Sequence, residues 1–326
     1  MNYNQLHKHI EETQRNICQI VARKSGEIVY EDTWNGYKST DTIHIASVTK
    51  SITSLLIGIA INRGYIESLE QNILDFYPEY QIKRGEKTIQ QVKLRHLLTM
   101  TAPYKFKSEP WTKVCKSEDW AKTVLDLIGG KNGITGIFQY STLGIQVLNE
   151  IITRTSGVST LEFANELLFE KLGIMPRSNF IVHNREEHIS FITSKKSQGL
   201  KWLCDSKKIV TAGFGLCMSA DELSKIGQLC LECGYHGIQQ VVSKEWIEKM
   251  TTSSITTGEK YNHMGYGCLW WILDKEKGIY AAIGDSGNVV YVNLEKDIVI
   301  AVTSTFKPAV FDRIQFVQEY IEPYIS

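Results

Sequence analysis

In the first part of the chain β-branched residues alternate with polar ones, and this alternation predicts β-strands there. Near the N-terminus it covers Ile17 to Arg23 and Glu27 to Trp34, with the turn pair Ser25-Gly26 between them. Strand-like patterns return after about residue 264. The predicted C-terminal strands are Tyr266 to Leu273, Ile279 to Ile283, Val289 to Asn293 and Ile298 to Thr303.

The middle of the chain carries apolar residues at helical spacing instead. The first predicted helix begins at or near Ser47 and ends at Arg63-Gly64, since a cation and a glycine both favour a helix C-terminus. A final amphipathic helix is predicted from about Phe311 to Tyr324. The other predicted helices are Val92 to Met100, Ser141 to Ser156, Thr160 to Leu172 and Ala220 to Cys233.

Strands at both ends with helices between them predict an α/β (α+β) fold. In this fold an antiparallel sheet, built from both chain ends and flanked by helices, carries an inserted and mainly helical subdomain. We assign residues 1–80 and 240–326 to the sheet subdomain and residues 81–239 to the helical subdomain. Because clefts form where two such units meet, we expect the active site at their interface.

The charge balance narrows the classes of partner. The chain has 326 residues, 36 Lys plus Arg and 36 Asp plus Glu, so its net charge is 0 and no long-range field attracts nucleic acid or anionic membranes. The polar start Met1 to His9 lacks the apolar core of a secretory signal, and the longest apolar run, Leu55 to Ile61, is too short to span a bilayer. We therefore expect a small-molecule or peptide substrate.

The cysteines indicate the redox compartment. There are seven of them, scattered along the chain, and an odd, scattered set is typical of free thiols in a reducing environment. The sequence therefore predicts a cytoplasmic protein. No pattern in the sequence predicts an oligomeric state.

The segment Ser47-Val48-Thr49-Lys50 provides a candidate nucleophile beside a candidate base. Residues three apart share one helix face, so the Lys50 amine can reach the Ser47 hydroxyl. Burial would lower the pKa of Lys50, and the helix N-terminus would stabilise developing negative charge. Two alternatives remain at this point: Ser47 as an ordinary helix N-cap, and a chance match, since Ser304-Thr305-Phe306-Lys307 has the same spacing behind a predicted strand.

The surroundings of Ser47 resemble the active-site segment of class C β-lactamases and their relatives. Those relatives include penicillin-binding proteins, carboxylesterases and D-aminopeptidases. The resemblance extends over nearly the whole chain in several ordered blocks. They are His44 to Thr53, Leu94 to Thr101, Phe138 to Gly144, Glu150 to Ile152, Ser156-Gly157, Phe169 to Ile174, Ala212 to Leu223 and Gly265 to Gly267.

The resemblance implies roles for four residues. Ser47 is the expected nucleophile, and Lys50 with Tyr140 is expected to manage its proton. Tyr140 matches the tyrosine of the family motif Tyr-x-Asn, although a buried structural tyrosine is the alternative. Thr142 takes the place of the asparagine, and its single hydroxyl offers less than an amide to a substrate carbonyl and to the lysine.

The third family motif, Lys-Thr-Gly or His-x-Gly on an edge strand, is expected at Asp285-Ser286-Gly287. Gly287 would allow close approach of the substrate, and the N–H groups of Asn288 and Ser47 would form an oxyanion hole. Asp285, Ser286, Gly287 and Thr142 are thus the predicted substrate-binding residues. The anion at position 285 argues against efficient β-lactamase action, and a substrate bearing an amine would suit it better.

A second interpretation treats Gly284-Asp285-Ser286-Gly287 as the nucleophile segment of a trypsin-like protease. That fold needs a catalytic His and Asp earlier in the chain, and no Ala-His-Cys segment occurs. The nucleophile-elbow pattern also fails, because position 288 is Asn and not Gly. The protease interpretation is therefore the weaker one.

Metal ligands are not favoured by the sequence. Cys230 and Cys233 with His236 could supply three zinc ligands, but no second pair follows at suitable spacing, and buried thiols at a helix end are the simpler interpretation. His183 and His188 do not follow the His-Glu-x-x-His order of a metalloprotease. We expect no metal and no organic cofactor.

The aromatic pair Trp270-Trp271 falls within a predicted strand. Successive side chains of a strand point to opposite faces, so one ring is expected in the core and the other toward a helix or the cleft. A role in the substrate wall is the less favoured alternative.

These observations predict a serine hydrolase that acts on an ester or amide of a small molecule or short peptide through an acyl-enzyme. Residues 103–135 and 175–210 are the expected walls of its site. The alternative is a non-catalytic or penicillin-trapping binding protein on the same fold, motivated by Thr142 and Asp285.

Overall fold

The fold is organised around one eight-stranded antiparallel sheet. The computed structural model describes residues 1–252 and 254–326. The strands of this part of the chain are β1 (Ile17–Lys24), β2 (Glu27–Thr33), β3 (Ile43–His44), β4 (Ser178–Ile181), β5 (Lys201–Cys204), β6 (Cys217–Met218), β7 (Tyr235–His236), β8 (Gln239–Gln240), β9 (Ile255–Thr256), β10 (Gly265–Tyr266), β11 (Trp271–Asp274), β12 (Ile279–Gly284), β13 (Asn288–Asn293) and β14 (Ile298–Ser304). The order in the sheet is β2-β1-β14-β13-β12-β11-β10-β9, so the two chain ends meet in it, and the predicted fold class is confirmed.

The helices cover both faces of this sheet and fill the middle of the chain. They are α1 (Tyr3–Thr13), α2 (Val48–Asn62), α3 (Leu94–Leu98), α4 (Trp111–Cys115), α5 (Trp120–Leu125), α6 (Gln146–Ser156), α7 (Thr160–Ala164), α8 (Arg185–Ile192), α9 (Ala220–Leu231), α10 (Lys244–Met250), α11 (Ile314–Phe316) and α12 (Glu322–Ile325). A π-helical turn, Val317–Ile321, joins α11 to α12. Among the described residues, no helix is both long and apolar enough to cross a membrane.

The central strands are apolar on both faces because helices cover both. On one face Val290 and Val299 belong to the large core that contains α2 and α9. On the other face Val289 and Ile300 pack with residues of α1 and of the C-terminal helices. Strands buried in this way carry nearly continuous apolar runs, as β13 and β14 do.

Two predicted elements differ from the structure. The expected strand Tyr266 to Leu273 is divided into β10 and β11, because Leu269 has φ +61 and Gly267 packs against the backbone of Met250. The expected helix Ser141 to Ser156 begins only at Gln146. Residues 141–145 form a turn in front of it that carries part of the candidate site.

The helix α9 lies on the sheet although it falls within residues 81–239. A Cβ added to its Gly227 would lie 2.4 Å from Cγ1 of Val299 and 2.9 Å from Cγ1 of Val290, so the helix backbone packs directly on β13 and β14. This contact favours a boundary before residue 220. The division into 1–80 and 240–326 against 81–239 otherwise stays a prediction.

Candidate active site

Ser47 lies at the N-terminal end of α2, directly after a strained residue. Ala46 has φ +48, in the left-handed region that residues with a Cβ rarely adopt. Its carbonyl oxygen accepts hydrogen bonds from the N–H (3.2 Å) and the hydroxyl (2.8 Å) of Thr49, and these hold the turn. Ser47 occupies the N-cap position, but its side chain makes no capping hydrogen bond. The Ser47 hydroxyl therefore does not act as a helix cap.

Lys50 is 2% exposed, and its amine makes three short contacts. The Nζ donates to Ser47 Oγ at 2.8 Å, to Thr142 Oγ1 at 3.0 Å and to the Gly213 carbonyl oxygen at 2.8 Å. Burial lowers the pKa of Lys50 from its usual 10.5 to about 7, and the negative charges of Glu109 and Asp285 oppose that shift. Near neutral pH a large fraction of Lys50 is thus an uncharged amine, which can accept the Ser47 proton.

Tyr140 lies beside both residues. Its ring centroid is 4.9 Å from Lys50 Nζ. Burial raises the pKa of Tyr140 well above its usual 10, although a hydrogen bond with Ser47 acts in the opposite direction. Tyr140 is therefore a neutral phenol at physiological pH. It can relay a proton, but it is not present as a phenolate. Trp271 stacks on it at 5.9 Å between centroids, and Tyr261 lies 6.0 Å away, so neighbouring rings fix its position.

Thr142 and Gly213 complete the surroundings of the Lys50 amine. The Thr142 hydroxyl accepts from Lys50, one of the contacts expected of the asparagine that it replaces. A Cβ added to Gly213 would lie 2.7 Å from the Thr142 carbonyl oxygen and 3.4 Å from Lys50 Nζ, so only glycine fits there. No role was predicted for Gly213, and its place in the block Ala212 to Leu223 was the only signal.

Glu109 is a second residue that the sequence did not indicate. Its Oε1 accepts hydrogen bonds from Ser141 Oγ at 2.7 Å and from the Leu143 N–H at 2.8 Å. One carboxylate oxygen thereby fixes the residues on both sides of Thr142. Glu109 lies more than 30 residues from them in sequence, inside a segment predicted only as a wall, so no local pattern could have identified it.

The hairpin between β12 and β13 carries Asp285-Ser286-Gly287 and lies against Ser47. A Cβ added to Gly284, the last residue of β12, would lie 2.5 Å from the Ile45 carbonyl oxygen and 3.0 Å from Ser47 N. Gly284 is therefore the residue whose missing side chain lets the strand approach Ser47. The expectation of an edge strand is wrong, because β12 lies between β11 and β13 and the motif forms a turn at its end.

Ser286 and Gly287 pack against residues that follow β14. Ser286 is buried with φ +72, and its hydroxyl accepts from the Lys307 N–H at 2.8 Å. A Cβ added to Gly287 would lie 2.4 Å from Arg313 Nε, so this glycine makes room for Arg313 where the sequence predicted room for substrate. Asn288 is also buried, and its side chain donates to the Asp285 carbonyl oxygen and accepts from the Ser304 N–H, both at 2.9 Å.

A cavity of about 810 Å³ opens in front of Ser47. Of the predicted site residues, Ser47, Thr142, Asp285, Ser286 and Asn288 line it, whereas Lys50, Tyr140 and Gly287 do not. Its further walls come from α4 and α8, within the two segments expected as walls. The volume suits a drug-sized ligand or a short peptide.

The competing candidates do not form catalytic or metal centres. Ser304 ends β14, and its hydroxyl donates to the Gly287 carbonyl oxygen at 3.4 Å. Cys230 and Cys233 are free thiols, and His236 lies on the exposed strand β7. Among the described residues, no group of three or more His, Cys, Asp or Glu side chains is arranged to hold a metal ion.

Known proteins share both the sequence pattern and the architecture of this chain. The family model described as Beta-lactamase matches residues 7–318. The 6-aminohexanoate-dimer hydrolase of Paenarthrobacter ureafaciens is 23% identical over 322 residues, which cover 92% of this chain and 75% of that protein.

Two solved structures show the same fold. A D-stereospecific amidohydrolase from a Streptomyces species superposes with a TM-score of 0.71 at 13% identity, covering 98% of both chains. A class C β-lactamase from Rhodobacter sphaeroides gives a TM-score of 0.70 at 15% identity, covering 99% of both. The fold is that of the serine β-lactamases and their relatives. The chain belongs to the β-lactamase family.

Proposed function

We propose that this protein is a serine hydrolase that cleaves an ester or amide of a small molecule or short peptide through an acyl-enzyme on Ser47. The observation that carries the proposal is the 2.8 Å contact between Ser47 Oγ and the amine of a fully enclosed Lys50 whose pKa is about 7. The names of the relatives, a 6-aminohexanoate-dimer hydrolase and a D-stereospecific amidohydrolase, support amide cleavage.

The proposed reaction follows from the protonation states of Lys50 and Tyr140. Neutral Lys50, coupled to Tyr140, accepts the Ser47 proton as Oγ attacks the substrate carbonyl carbon. The bond from that carbon to the leaving nitrogen or oxygen then breaks, and the same proton passes to the leaving group. Water next attacks the Ser47 ester, releases the acid and restores the hydroxyl, with Lys50 and Tyr140 again moving the proton.

Backbone N–H groups beside Ser47 would hold the oxyanion. The Ser47 N–H at the start of α2 is one donor. The second donor predicted from the sequence is Asn288, which pairs with Gly284 across the hairpin. Asp285 directly follows Gly284, at which an added Cβ would lie 3.0 Å from Ser47 N. We therefore propose the Asp285 N–H as the second donor in place of Asn288.

A penicillin-trapping role is less well supported. The carboxylate of a penicillin would meet the exposed Asp285 side chain at the cleft, and like charges at close range destabilise a complex. The contacts of Lys50 with Ser47 and Thr142 argue against the non-catalytic binding alternative, because a pure binding protein needs no proton-transfer groups.

Turnover of a p-nitrophenyl ester and a p-nitroanilide tests the proposal. The wild-type protein should release p-nitrophenol continuously, and Ser47→Ala should remove that activity while leaving the circular dichroism spectrum unchanged. Incubation with a penicillin, followed by intact-mass spectrometry, separates the alternative. A persistent penicillin adduct without ester turnover would replace the hydrolase by the trap.

A further inference from the structure

All three carbonyl oxygens of the turn between β12 and β13 accept hydrogen bonds from side chains. The pairs are Asp285 O with Asn288 Nδ2 at 2.9 Å, Ser286 O with Asn16 Nδ2 at 2.9 Å, and Gly287 O with Ser304 Oγ at 3.4 Å. The three donor residues are buried. Side chains from both ends of the chain therefore determine the path of this turn.

Asn16 makes the most distant of these contacts, 270 residues from Ser286 along the chain. It lies directly before β1 and is 8% exposed. Its Nδ2 also donates to the Thr305 carbonyl oxygen at 2.9 Å, and its backbone oxygen accepts from the Thr305 N–H at 2.9 Å. Both amide hydrogens of Asn16 are thus used, and they join the turn to the end of β14.

Arg313 holds the oxygen of the same amide. Its guanidinium is buried and donates to Asn16 Oδ1 and to Gln14 Oε1, which are both neutral acceptors. Its Nε, which lies in the space left by Gly287, has no hydrogen-bond partner among the described residues. A buried cation with neutral partners costs folding free energy. Such a cost is expected at a functional site, where the position of a group matters more than stability.

Ser286 has a backbone conformation that its surroundings must hold. Its φ is +72, in the left-handed region that residues with a Cβ rarely adopt. Its N–H donates to the Val310 carbonyl oxygen at 2.7 Å, and its hydroxyl accepts from the Lys307 N–H at 2.8 Å. The bond from Asn16 to the Ser286 carbonyl oxygen is the third contact, so every polar group of Ser286 is paired.

The residue between Ser286 and β12 carries the proposed second oxyanion donor. The Asp285 N–H lies beyond the last ladder pair of β12 and donates to no group among the described residues. On one side of it, Gly284 packs against Ser47. On the other side, Ser286 is held by Asn16. The orientation of this unpaired N–H therefore depends on the Asn16 contact.

We propose that Asn16 is a positioning residue for the acyl-transfer reaction. Its amide fixes Ser286 so that the Asp285 N–H points at the oxyanion, and Arg313 orients that amide with Nδ2 toward the turn. Asn16 does not line the cavity, so it acts through the turn and not on the substrate. This inference rests on the proposed acyl-enzyme function and adds the residue that preorganises its oxyanion hole.

The test compares Asn16→Ala with Asn293→Ala. Asn293 is the matched control, because it is a buried asparagine at the opposite end of β13 whose Nδ2 donates to Glu322 Oε1 at 3.3 Å. Hydrolysis of a p-nitrophenyl ester gives kcat and KM, and a melting curve gives stability. Inhibition by phenylboronic acid probes the oxyanion hole, since addition of Ser47 Oγ to boron forms a tetrahedral anion that resembles the transition state.

For Asn16→Ala we expect kcat to fall by about tenfold to 100-fold at nearly constant KM, because a displaced donor weakens binding of the transition state more than of the ester. The Ki of phenylboronic acid should rise by a similar factor. Asn293→Ala should also lower the melting temperature, but kcat and Ki should stay within a factor of about two of the wild type, since the change is distant from the cleft.

Asn16→Asp separates the positioning role from packing. It keeps the shape and the oxygen that faces Arg313, and its carboxylate supplies the counter-charge that the guanidinium lacks, so the fold should be retained. It replaces the donor to Ser286 O and Thr305 O by an oxygen that repels both. We therefore expect the same changes in kcat and Ki as in Asn16→Ala.

Wild-type kcat and Ki in Asn16→Asp, or losses in the Asn16 variants no larger than those in Asn293→Ala, would overturn the positioning role. If ester turnover through Ser47 persists in that case, the hydrolase proposal stands without it. If the wild type turns over no ester and Ser47 forms no adduct, both proposals fail together.

Discussion

The two sides of the candidate cleft differ in burial and in how their charged groups are paired. On the side of Ser47, the proposed nucleophile, the Lys50 amine is enclosed and makes three contacts of 3.0 Å or less. On the side of the hairpin and α8, Asp285 and Arg185 carry exposed charges without ion-pair partners among the described residues. Packing therefore fixes the positions of the groups around Lys50, whereas the exposed charges are accessible to a ligand.

The largest effect is expected from removing the amine on the enclosed side. Lys50→Met keeps the volume but removes the proton acceptor, so kcat/KM for a p-nitrophenyl ester should fall by about 10³ to 10⁴. Thermal stability should not fall, because a buried amine with a lowered pKa costs folding free energy. Ester kinetics and a melting curve check both expectations, and full activity in Lys50→Met would remove Lys50 from the mechanism.

The next effect probes the packing itself. Gly213→Ala inserts a Cβ 2.7 Å from the Thr142 carbonyl oxygen, which must move and take Lys50 out of line. A displacement of this size should lower kcat by about 100-fold. Gly258→Ala is the matched control, since φ there is −79 and nothing lies within 4 Å of the added carbon. Similar kinetics for the two variants would show that the site tolerates looser packing.

The pH dependence measures how far burial controls the chemistry. In the proposed mechanism the neutral amine of Lys50 is the reactive form, so kcat/KM should rise about tenfold per pH unit below pH 7 and level off above it. Glu109 raises the pKa of Lys50, so Glu109→Gln should move the midpoint to lower pH. A profile that is flat from pH 5 to 9 would assign the base to another group.

The smallest effect concerns one hydrogen bond. Thr142→Val removes the hydroxyl that Lys50 contacts at 3.0 Å and keeps the shape, so kcat/KM should fall by about tenfold. Thr142→Ser retains the hydroxyl and should stay within a factor of about three of the wild type. If Thr142→Ser loses as much activity as Thr142→Val, the hydroxyl contact with Lys50 does not by itself account for the role of Thr142.

More of the enclosed side than of the exposed side of the cleft could be predicted from the sequence. Ser47 and Lys50 lie one helical turn apart, so their contact follows from local geometry. The strands β13 and β14 could also be predicted from the sequence, because burial on both faces requires a nearly continuous apolar run.

The third motif could not be placed from sequence. Whether Gly284 or Gly287 faces the nucleophile depends on where β12 ends and on how its turn packs against Arg313. Glu109 and Gly213 reach Thr142 and Lys50 through tertiary folding, at sequence separations that no motif spans. The missing information was thus the register and packing of segments that are distant along the chain.

The most direct test of the account is labelling of Ser47 by a fluorophosphonate, read by intact-mass spectrometry and peptide mapping. Ser304→Ala is the matched control, because Ser304 begins the second segment with the same Ser-x-x-Lys spacing. We predict one adduct per chain in the wild type and in Ser304→Ala, mapped to Ser47, and none in Ser47→Ala. An unlabelled wild type, or an adduct that persists in Ser47→Ala, would contradict the assignment of Ser47 as the nucleophile.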